Sequence, residues 1–240
     1  SHLWVEEALA LVPEVRRGFA MARAARDWAT CARIAFGLAV LWHRDGSRLE
    51  GREWIEELLE HDAELGPHER AGARIAAGFV MFMGEHARAR VLWEEAADIF
   101  GELGEVRYAA YAQCLASGTW VGDVEGYEDA VRNCRDSLRV ARELGELPLI
   151  AMALNVLGEL ARVRGEDEVA FHAYTEGLAV TEKSGDEGHR TVFLANLAYL
   201  ADHRGDYVEA HRLQHEAIRE CRRLARWMML AWTISEMAGP

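Results

Sequence analysis

A short phrase of the type Glu-Leu-Gly returns along this sequence about every 40 residues. It begins at Glu64, Glu102 and Glu143 and, in the degenerate form Lys-Ser-Gly, at Lys183, so the intervals are 38, 41 and 40 residues. A repeat of this length with helical apolar spacing is typical of stacked antiparallel helical hairpins, because each hairpin buries its apolar face against the next. The sequence therefore predicts an all-α solenoid, a fold that binds partners on an extended surface.

The composition agrees with an all-helical chain and restricts its partners. Only four of the 240 residues are proline, and 50% are apolar. The net charge is −13, from 40 acidic and 27 basic residues. Such a charge repels a phosphate backbone, so direct contact with nucleic acid is disfavoured. The sequence also contains no signal-peptide pattern and no apolar run long enough to span a membrane.

Four cysteines lie far apart in the sequence, without the Cys-x-x-Cys spacing of a metal or redox site. Each falls in a helical pattern, where cysteine usually acts as a small apolar residue. This usage favours free thiols in a reducing, cytoplasmic compartment over a disulfide framework. Because the chain opens with Ser1 and not methionine, we expect it to be a piece of a larger protein.

Small residues recur where two antiparallel helices are expected to cross. Gly165 and Gly205 are predicted to end the first helix of a pair in the left-handed conformation. Asp206 is predicted to cap the next helix with Glu209 reaching back to it, and Ser47 to do the same in the first unit. The pattern is clearest in the fourth and fifth units, at Leu154, Leu157, Gly158, Ala161, Gly165, Ala170, Tyr174 and Gly177, then Leu197, Ala198, Ala201, Gly205, Ala210 and Ala217.

This spacing resembles the tetratricopeptide repeat over roughly residues 28–226. The resemblance implies a right-handed superhelix of five antiparallel hairpins, with a leading helical segment at 1–27 and a terminal helix at 227–240, all in a single continuous solenoid domain. The third unit departs from the pattern, with about three extra residues near its turn at 118–127. The predicted helix pairs are 28–44 with 48–64, 68–83 with 86–103, 105–121 with 126–144, 148–164 with 167–184, and 187–204 with 207–224.

A narrower resemblance lies at residues 39–59, which read AVLWHRDGSRLEGREWIEELL. The helix ending in tryptophan, the Arg-Asp-Gly turn and the following Glu-Gly-Arg-x-Trp resemble the start of the repeat region in LuxR-type and antibiotic-regulator proteins of bacteria. Those proteins join a signal-transduction ATPase to tetratricopeptide-like repeats. The resemblance implies a non-catalytic sensor segment of a transcription regulator, with the ATPase and DNA-binding modules outside this chain.

The tetratricopeptide resemblance also implies a ligand groove, since the first helix of each pair lines the concave face in that family. Asn196 stands where peptide-binding members hold the ligand backbone, and an amide suits that role because it both donates and accepts. The clamp for peptide C-termini is incomplete, since Asn155 and Glu159 occupy positions that need lysine and asparagine. The predicted groove residues are Arg33, Arg74, Tyr111, Asn155, Glu159, Arg162, Asn196, Tyr199, Asp202 and His203, with Phe36, His43 and Met81 at the same register; Phe36 and Tyr199 fit a core position equally well.

Two histidines, His211 and His215, are four residues apart on one predicted helix, a spacing that can hold a metal ion. The glutamate of a His-Glu-x-x-His protease does not stand between them, so a solvated or structural role is favoured and a metal-dependent hydrolase is the minor alternative. Phosphate-binding and nucleophile-elbow motifs are also missing from the sequence. We therefore predict no catalytic activity, no cofactor and no metal.

The last predicted helix is strongly apolar, with Trp227, Met228 and Trp232 as its main side chains. It either covers the last repeat or forms an interface for a partner or a second copy of the chain, because an uncapped solenoid end exposes apolar surface. A stand-alone adaptor or oligomerisation scaffold is thus the alternative to the sensor. The effector in the groove is left open as a peptide, a protein or a small molecule.

Overall fold

A computed structural model describes residues 11–45, 48–82, 84–120 and 126–224. In these ranges the chain forms eleven α-helices, one 3₁₀ turn and no strand. The helices are α1 (Val12–Ala24), α2 (Trp28–Asp45), α3 (Arg48–Glu60), α4 (Pro67–Met81), α5 (His86–Glu102), α6 (Val106–Gly118), α7 (Tyr127–Leu144), α8 (Leu147–Val163), α9 (Asp167–Ser184), α10 (Glu187–His203) and α11 (Tyr207–Arg223).

Glycines end the first helices of the pairs as predicted. Gly165 and Gly205 have φ of +72° and +78°. At Gly165 the N–H donates to the carbonyl of Arg162 over 3.0 Å, and the next N–H, of Glu166, donates to Ala161 over 2.9 Å. This pair of bonds satisfies carbonyls that the helix end leaves free. Because a side chain is disfavoured in this conformation, the repeated glycines determine where these helices stop.

The predicted capping box at Asp206 is half right. Its carboxylate accepts the N–H of Glu209 at 3.1 Å and so caps α11. The carboxylate of Glu209, however, accepts two hydrogen bonds from Arg212 at 2.7 Å instead of reaching back to the cap. A charge-assisted hydrogen bond with arginine is stronger than one with a neutral backbone N–H, so Glu209 binds Arg212 in preference to the N–H at the cap. Ser47 lies outside the described residues.

Two helix ends also differ from prediction. The helix expected to run to 64 ends at Glu60, and Asp62–Glu64 form a 3₁₀ turn. There Asp62 binds Arg70 and Arg74 of the next helix, while Glu64 contacts His61 of the same turn. The helix expected over 105–121 ends at Gly118. The extra residues 121–125 and the terminal segment 225–240 lie outside the described ranges.

The chain divides into two compact units. The N-terminal unit comprises the described residues within Leu3–Trp120 and Glu128–Val140, and the C-terminal unit those within Val121–Tyr127 and Ala141–Pro240. In the N-terminal unit α2 packs on α3 and α4, α4 on α5, and α5 on α6. Trp93 on α5 is fully buried over Gly78 of α4, and its indole N–H donates to the carbonyl of Ile75 at 3.1 Å.

The C-terminal unit repeats the same relationship. Here α8 packs on α9, α9 on α10, and α10 on α11. Tyr174 on α9 is fully buried over Gly158 of α8, and a Cβ on that glycine would lie 2.2 Å from the tyrosine ring. The helices therefore approach as closely as they do only because residue 158 has no side chain. The prediction of a single continuous solenoid domain stays a prediction.

Ion pairs recur between residues that are about one repeat apart in sequence. Arg23 of α1 contacts Glu57 of α3 at 2.8 Å, and Arg33 of α2 contacts Glu69 of α4 at 3.0 Å. In the C-terminal unit Arg223 contacts Glu187 at 2.7 Å. The separations are 34 to 36 residues. Exposed pairs of this kind contribute little to the free energy of unfolding. They therefore indicate the register of the repeats but do little to stabilise it.

Candidate functional site

Two helices of the C-terminal unit, α8 and α10, place a group of polar side chains together. Asn155, Glu159 and Arg162 are spaced by four and three residues on α8, so they share one helix face. Asn196 and Tyr199 are three residues apart on α10 and meet that face. We call these five side chains and Tyr174 of α9 the polar network.

Glu159 lies at the centre of the polar network. Its Oε1 accepts a hydrogen bond from Nδ2 of Asn196 at 2.7 Å and from the hydroxyl of Tyr174 at 3.1 Å. Its Oε2 accepts from Arg162 at 2.6 Å. The same amide nitrogen of Asn196 lies 3.3 Å from Oδ1 of Asn155. One carboxylate thus joins three helices, and the ion pair with Arg162 leaves the group without net charge.

Burial and the charge of Glu159 together determine the protonation of Tyr174 and Arg162. The pKa of Tyr174 is raised well above its ordinary value, first by burial and then by the charge of Glu159. Burial lowers the pKa of Arg162, but its hydrogen bond to Glu159 and the charge of Glu159 outweigh burial and raise the pKa above the ordinary value. Tyr174 therefore stays a neutral donor and Arg162 a cation throughout the physiological pH range.

Arg162 links the buried part of the polar network to the ring of Tyr199. Nε of Arg162 is buried and has no hydrogen-bond acceptor within the described residues. The guanidinium carbon lies 4.9 Å from the ring centroid of Tyr199, and both side chains are half-buried. The guanidinium beside the tyrosine ring is a cation–π contact, and the half-buried Tyr199 ring leaves part of its surface for an apolar group.

Asn196 is more deeply buried than a ligand-facing residue would be. Only 1% of it is exposed, and its amide N–H₂ is used by Glu159 and Asn155. A peptide-binding role for Asn196 stays a prediction, and its contacts within the chain hold Glu159 and Asn155 in place. Asn155 is half-buried and accepts through Oδ1, so its own N–H₂ is the amide donor nearer the surface.

Two further predicted groove residues lie at the exposed end of α10. His203 is exposed and its Nδ1 lies 2.8 Å from Oδ2 of Asp167. Its ring is stacked on that of Tyr199, with 6.1 Å between centroids and 11° between planes. Asp202 is exposed beside it. These residues extend the polar network towards solvent.

The predicted groove residues of the N-terminal unit lie in separate contacts. Arg33 is exposed and pairs with Glu69. Arg74 has only 15% of its side chain exposed and is held between Asp62 and Glu95. Because two carboxylates bind this nearly buried arginine, its ion pairs are structural. Tyr111 is half-buried, and burial raises its pKa.

Three other residues were predicted at the groove register, and the structure describes the side chains of two of them, Met81 and Phe36. Met81 is 1% exposed and belongs to the core, so the groove position predicted for it is wrong: its apolar side chain is buried between helices. Phe36 is partly buried and packs on the core, with its ring edge to face with Tyr108 at 5.9 Å. The side chain of His43 lies outside the described part of the chain, as do Trp227, Met228 and Trp232.

Sequence reasoning missed one member of the polar network. Tyr174 fits the packing position of the repeat, and its ring does pack there, but its hydroxyl also reaches Glu159. The available signal was its hydroxyl: a buried tyrosine nearly always needs an acceptor, which the first helix of the same pair supplies.

The two histidines of α11 do approach each other. His211 and His215 are exposed, with their Nε2 atoms 3.0 Å apart. In the described residues, no third histidine, cysteine or carboxylate completes a metal-binding group with them or elsewhere. Among the helices that the structure describes, none is both long and apolar enough to cross a membrane.

Comparison with known proteins identifies the fold. Residues 193–225, which cover most of α10 and α11, match the model of a tetratricopeptide repeat. No curated protein matches the sequence. A Rap protein crystallised with competence and sporulation factor is similar in structure, with a TM-score of 0.75 and 16% identity over 85% of this chain and 57% of that protein. The chain thus spans little more than half the length of that relative.

Two more solved structures share the architecture. One is a signal transduction ATPase with numerous domains (STAND) from Pyrococcus horikoshii that has a tetratricopeptide repeat sensor; its TM-score is 0.65 at 12% identity, over 98% of this chain and 37% of that one. The other is BtubC from P. vanneervenii, with a TM-score of 0.64 at 19% identity over 92% and 91%. Identities this low show the fold alone. The chain has the all-α, tetratricopeptide-like solenoid fold that its sequence predicts.

Proposed function

We propose that this chain is a non-catalytic sensor segment of a bacterial transcription regulator and that it binds an effector peptide at the polar network. The observation that carries the proposal is Glu159, whose three hydrogen bonds hold Arg162, Tyr174 and Asn196 in one arrangement, with Asn155 bonded in turn to Asn196. Side chains that are already ordered lose little entropy when a ligand binds.

The chemistry of the polar network favours a peptide. Asn155 is half-buried and has an amide N–H₂ near the surface, so the face offers a donor to a backbone carbonyl. The half-buried Tyr199 offers a ring for an apolar side chain of the same peptide. Tyrosine and arginine are the residues that most often contribute binding energy at such surfaces.

The regulator context is supported by relatives. The STAND protein contains a tetratricopeptide repeat sensor, and the Rap protein was crystallised with competence and sporulation factor. In a protein of this kind the effector does no bond chemistry. It binds one of two pre-existing conformations more tightly and so shifts the equilibrium between them.

The first test selects ligands for the polar network. A displayed library of random peptides is selected on the wild-type chain, and binders are measured by isothermal titration against Asn155→Ala, Tyr199→Ala and a control, His215→Ala, on the exposed surface of α11. We expect Tyr199→Ala to weaken binding by about tenfold or more, with the control unchanged. Selected peptides that bind all three variants as tightly as the wild type would overturn the proposal.

The second test concerns the larger protein. The coding DNA on both sides of this chain is sequenced, and a phosphate-binding loop and a helix-turn-helix module are expected. In that gene product the selected peptide should change ATP hydrolysis or DNA binding, and Tyr199→Ala should abolish the change. Flanking sequence without either module would contradict the regulator context while leaving the peptide site intact.

A further inference from the structure

The exposed face of α11 is positively charged, although the chain as a whole has a net charge of −13. Successive residues of a helix are rotated by about 100°, so a face about 120° wide on α11 contains Val208 and six further exposed side chains. All six are arginine or histidine: His211, Arg212, His215, Arg219, Arg222 and Arg223. We call these seven residues the basic face. The three glutamates of α11 lie outside it.

Two arginines of the basic face have charges that the chain does not balance. The side chains of Arg219 and Arg222 form no ion pair or hydrogen bond with any residue that the structure describes. By contrast, Arg212 binds Glu209 and Arg223 binds Glu187, each at 2.7 Å. A guanidinium matches a carboxylate in two parallel hydrogen bonds, so the unpaired arginines are suited to carboxylates from another molecule.

Helix α3 of the N-terminal unit has the opposite charge in the same spacing. Val208 is 84% exposed and Leu49 is 80% exposed, the two highest values among the large apolar side chains of the described residues. Each is the second residue of its helix, α11 and α3. Charged or titratable side chains follow each of them after four, seven and eleven residues: Arg212, His215 and Arg219 on α11, and Glu53, Glu56 and Glu60 on α3. We call Leu49 and these three glutamates the acidic stripe.

The acidic stripe also has charges that the chain does not balance. Glu53 and Glu60 are exposed, and neither pairs with another residue in the described ranges. Glu56 between them binds Arg52 at 2.8 Å. Residues three and four apart are neighbours on a helix, so the glutamates of the stripe repel one another, as do the cations of the basic face. A surface of opposite charge relieves the repulsion on both helices.

We propose that the basic face of one copy of this chain binds the acidic stripe of a second copy, with α11 and α3 side by side and parallel. This alignment places Val208 against Leu49 and Arg219 near Glu60, because each pair lies equally far along its helix. The two surfaces differ, so the contact is heterologous, and association continues into a ring or an open chain. No residue of the polar network takes part, so the contact is independent of the function proposed above.

Sedimentation velocity of the full chain at up to about 200 µM, in about 20 mM and about 300 mM NaCl, measures this association. We expect the weight-average sedimentation coefficient to rise with protein concentration in low salt and much less in high salt, since salt screens exposed charges. A coefficient that does not change with concentration in low salt would overturn the proposal. Nucleic acid is the other partner for a basic helix, but the net charge of −13 repels it. Tighter binding of a DNA duplex than of a second copy, measured by fluorescence anisotropy in the same buffer, would also overturn the proposal.

The decisive variants, Arg219→Glu and Glu60→Lys, each reverse the charge on one side of the contact. Each alone should weaken self-association by about tenfold or more, because like charges then face each other. An equal mixture of the two should associate as the wild type does, since the first variant keeps its acidic stripe and the second keeps its basic face. The matched control is Glu102→Lys, which makes the same charge change at an exposed glutamate at the end of α5 and should not weaken association. Single variants that associate as strongly as the wild type, or a mixture that does not recover, would show that these two surfaces do not meet.

Discussion

Nδ2 of Asn196 donates a hydrogen bond to Oε1 of Glu159 over 2.7 Å, and this contact joins the first helices of two successive hairpins. The two residues are 37 positions apart in sequence, close to one repeat. Asn196 is 1% exposed, and Glu159 has 20% of its side chain exposed. Removing this contact by mutation therefore measures how much the polar network contributes to the free energy of unfolding.

Replacing Asn196 should destabilise the chain in a pH-dependent way. Asn196→Ala should lower the free energy of unfolding by about 2 kcal/mol, because Glu159 loses one donor and a small cavity remains. Asn196→Asp should cost more at neutral pH, since two carboxylates then face each other and one of them must bind a proton. Its stability should therefore rise as the pH falls from 7 to 5, as measured by urea unfolding at each pH. Equal losses for both variants at both pH values would show that the contact is not formed.

The close approach of α8 and α9 depends on Gly158. Gly158→Ala should lower the free energy of unfolding by about 2 kcal/mol, because the new methyl group would overlap the buried ring of Tyr174. The matched control is Gly37→Ala in the middle of α2, where a Cβ meets nothing within 4 Å. That change should raise stability by up to about 1 kcal/mol through helix propensity. Thermal and urea unfolding of the two variants should move in opposite directions; a loss in both would contradict the close packing.

Asp186 caps α10, and its charge should support stability in acid. Burial alone would raise its pKa, but hydrogen bonds from the ring and backbone N–H of His189 hold the pKa at about 2, below the ordinary 3.8. A depressed pKa contributes stability above the ordinary value that is lost as the pH falls towards 2. Asn caps helices as well as Asp does, so Asp186→Asn removes mainly the charge.

The difference in unfolding free energy between the wild type and Asp186→Asn should be about 2 kcal/mol at pH 5 and should shrink towards zero near pH 2. Guanidinium unfolding across that range measures it. A difference that stays constant with pH would mean that the ion pair with His189 does not form in solution.

The four thiols should resist chemical labelling in the folded chain. All four cysteines are free and buried. Burial raises the pKa of Cys31 to about 11, with the charges of Asp27 and Glu57 adding to the effect, so little thiolate is present at pH 8. Iodoacetamide followed by mass spectrometry should find no modification under native conditions and four modifications in urea. Native labelling of any cysteine at the unfolded rate would contradict its burial.

Local features of the sequence predict the helices well, because apolar spacing and helix-ending glycines depend only on residues that are near in sequence. Apolar spacing predicts which segments are helical, and glycine at Gly165 and Gly205 predicts where they stop. Prediction fails where a charged side chain has a competing ionic partner, near or far in sequence: Asp62 binds arginines of the next helix, and Glu209 binds Arg212 of its own helix instead of the cap. A single sequence contains no information about which of several partners an ionic side chain takes.

The sequence by itself determines the repeat, its length and the small residues that let helices cross, because these follow from helix geometry and backbone conformation. Only the tertiary structure decides which polar side chains meet. It buries Asn196, turns the hydroxyl of Tyr174 to Glu159, and sets the amide of Asn196 against Glu159 of the preceding hairpin. These contacts join residues from different helices, and small differences in the angle and depth of helix packing determine whether two polar atoms lie within bonding distance.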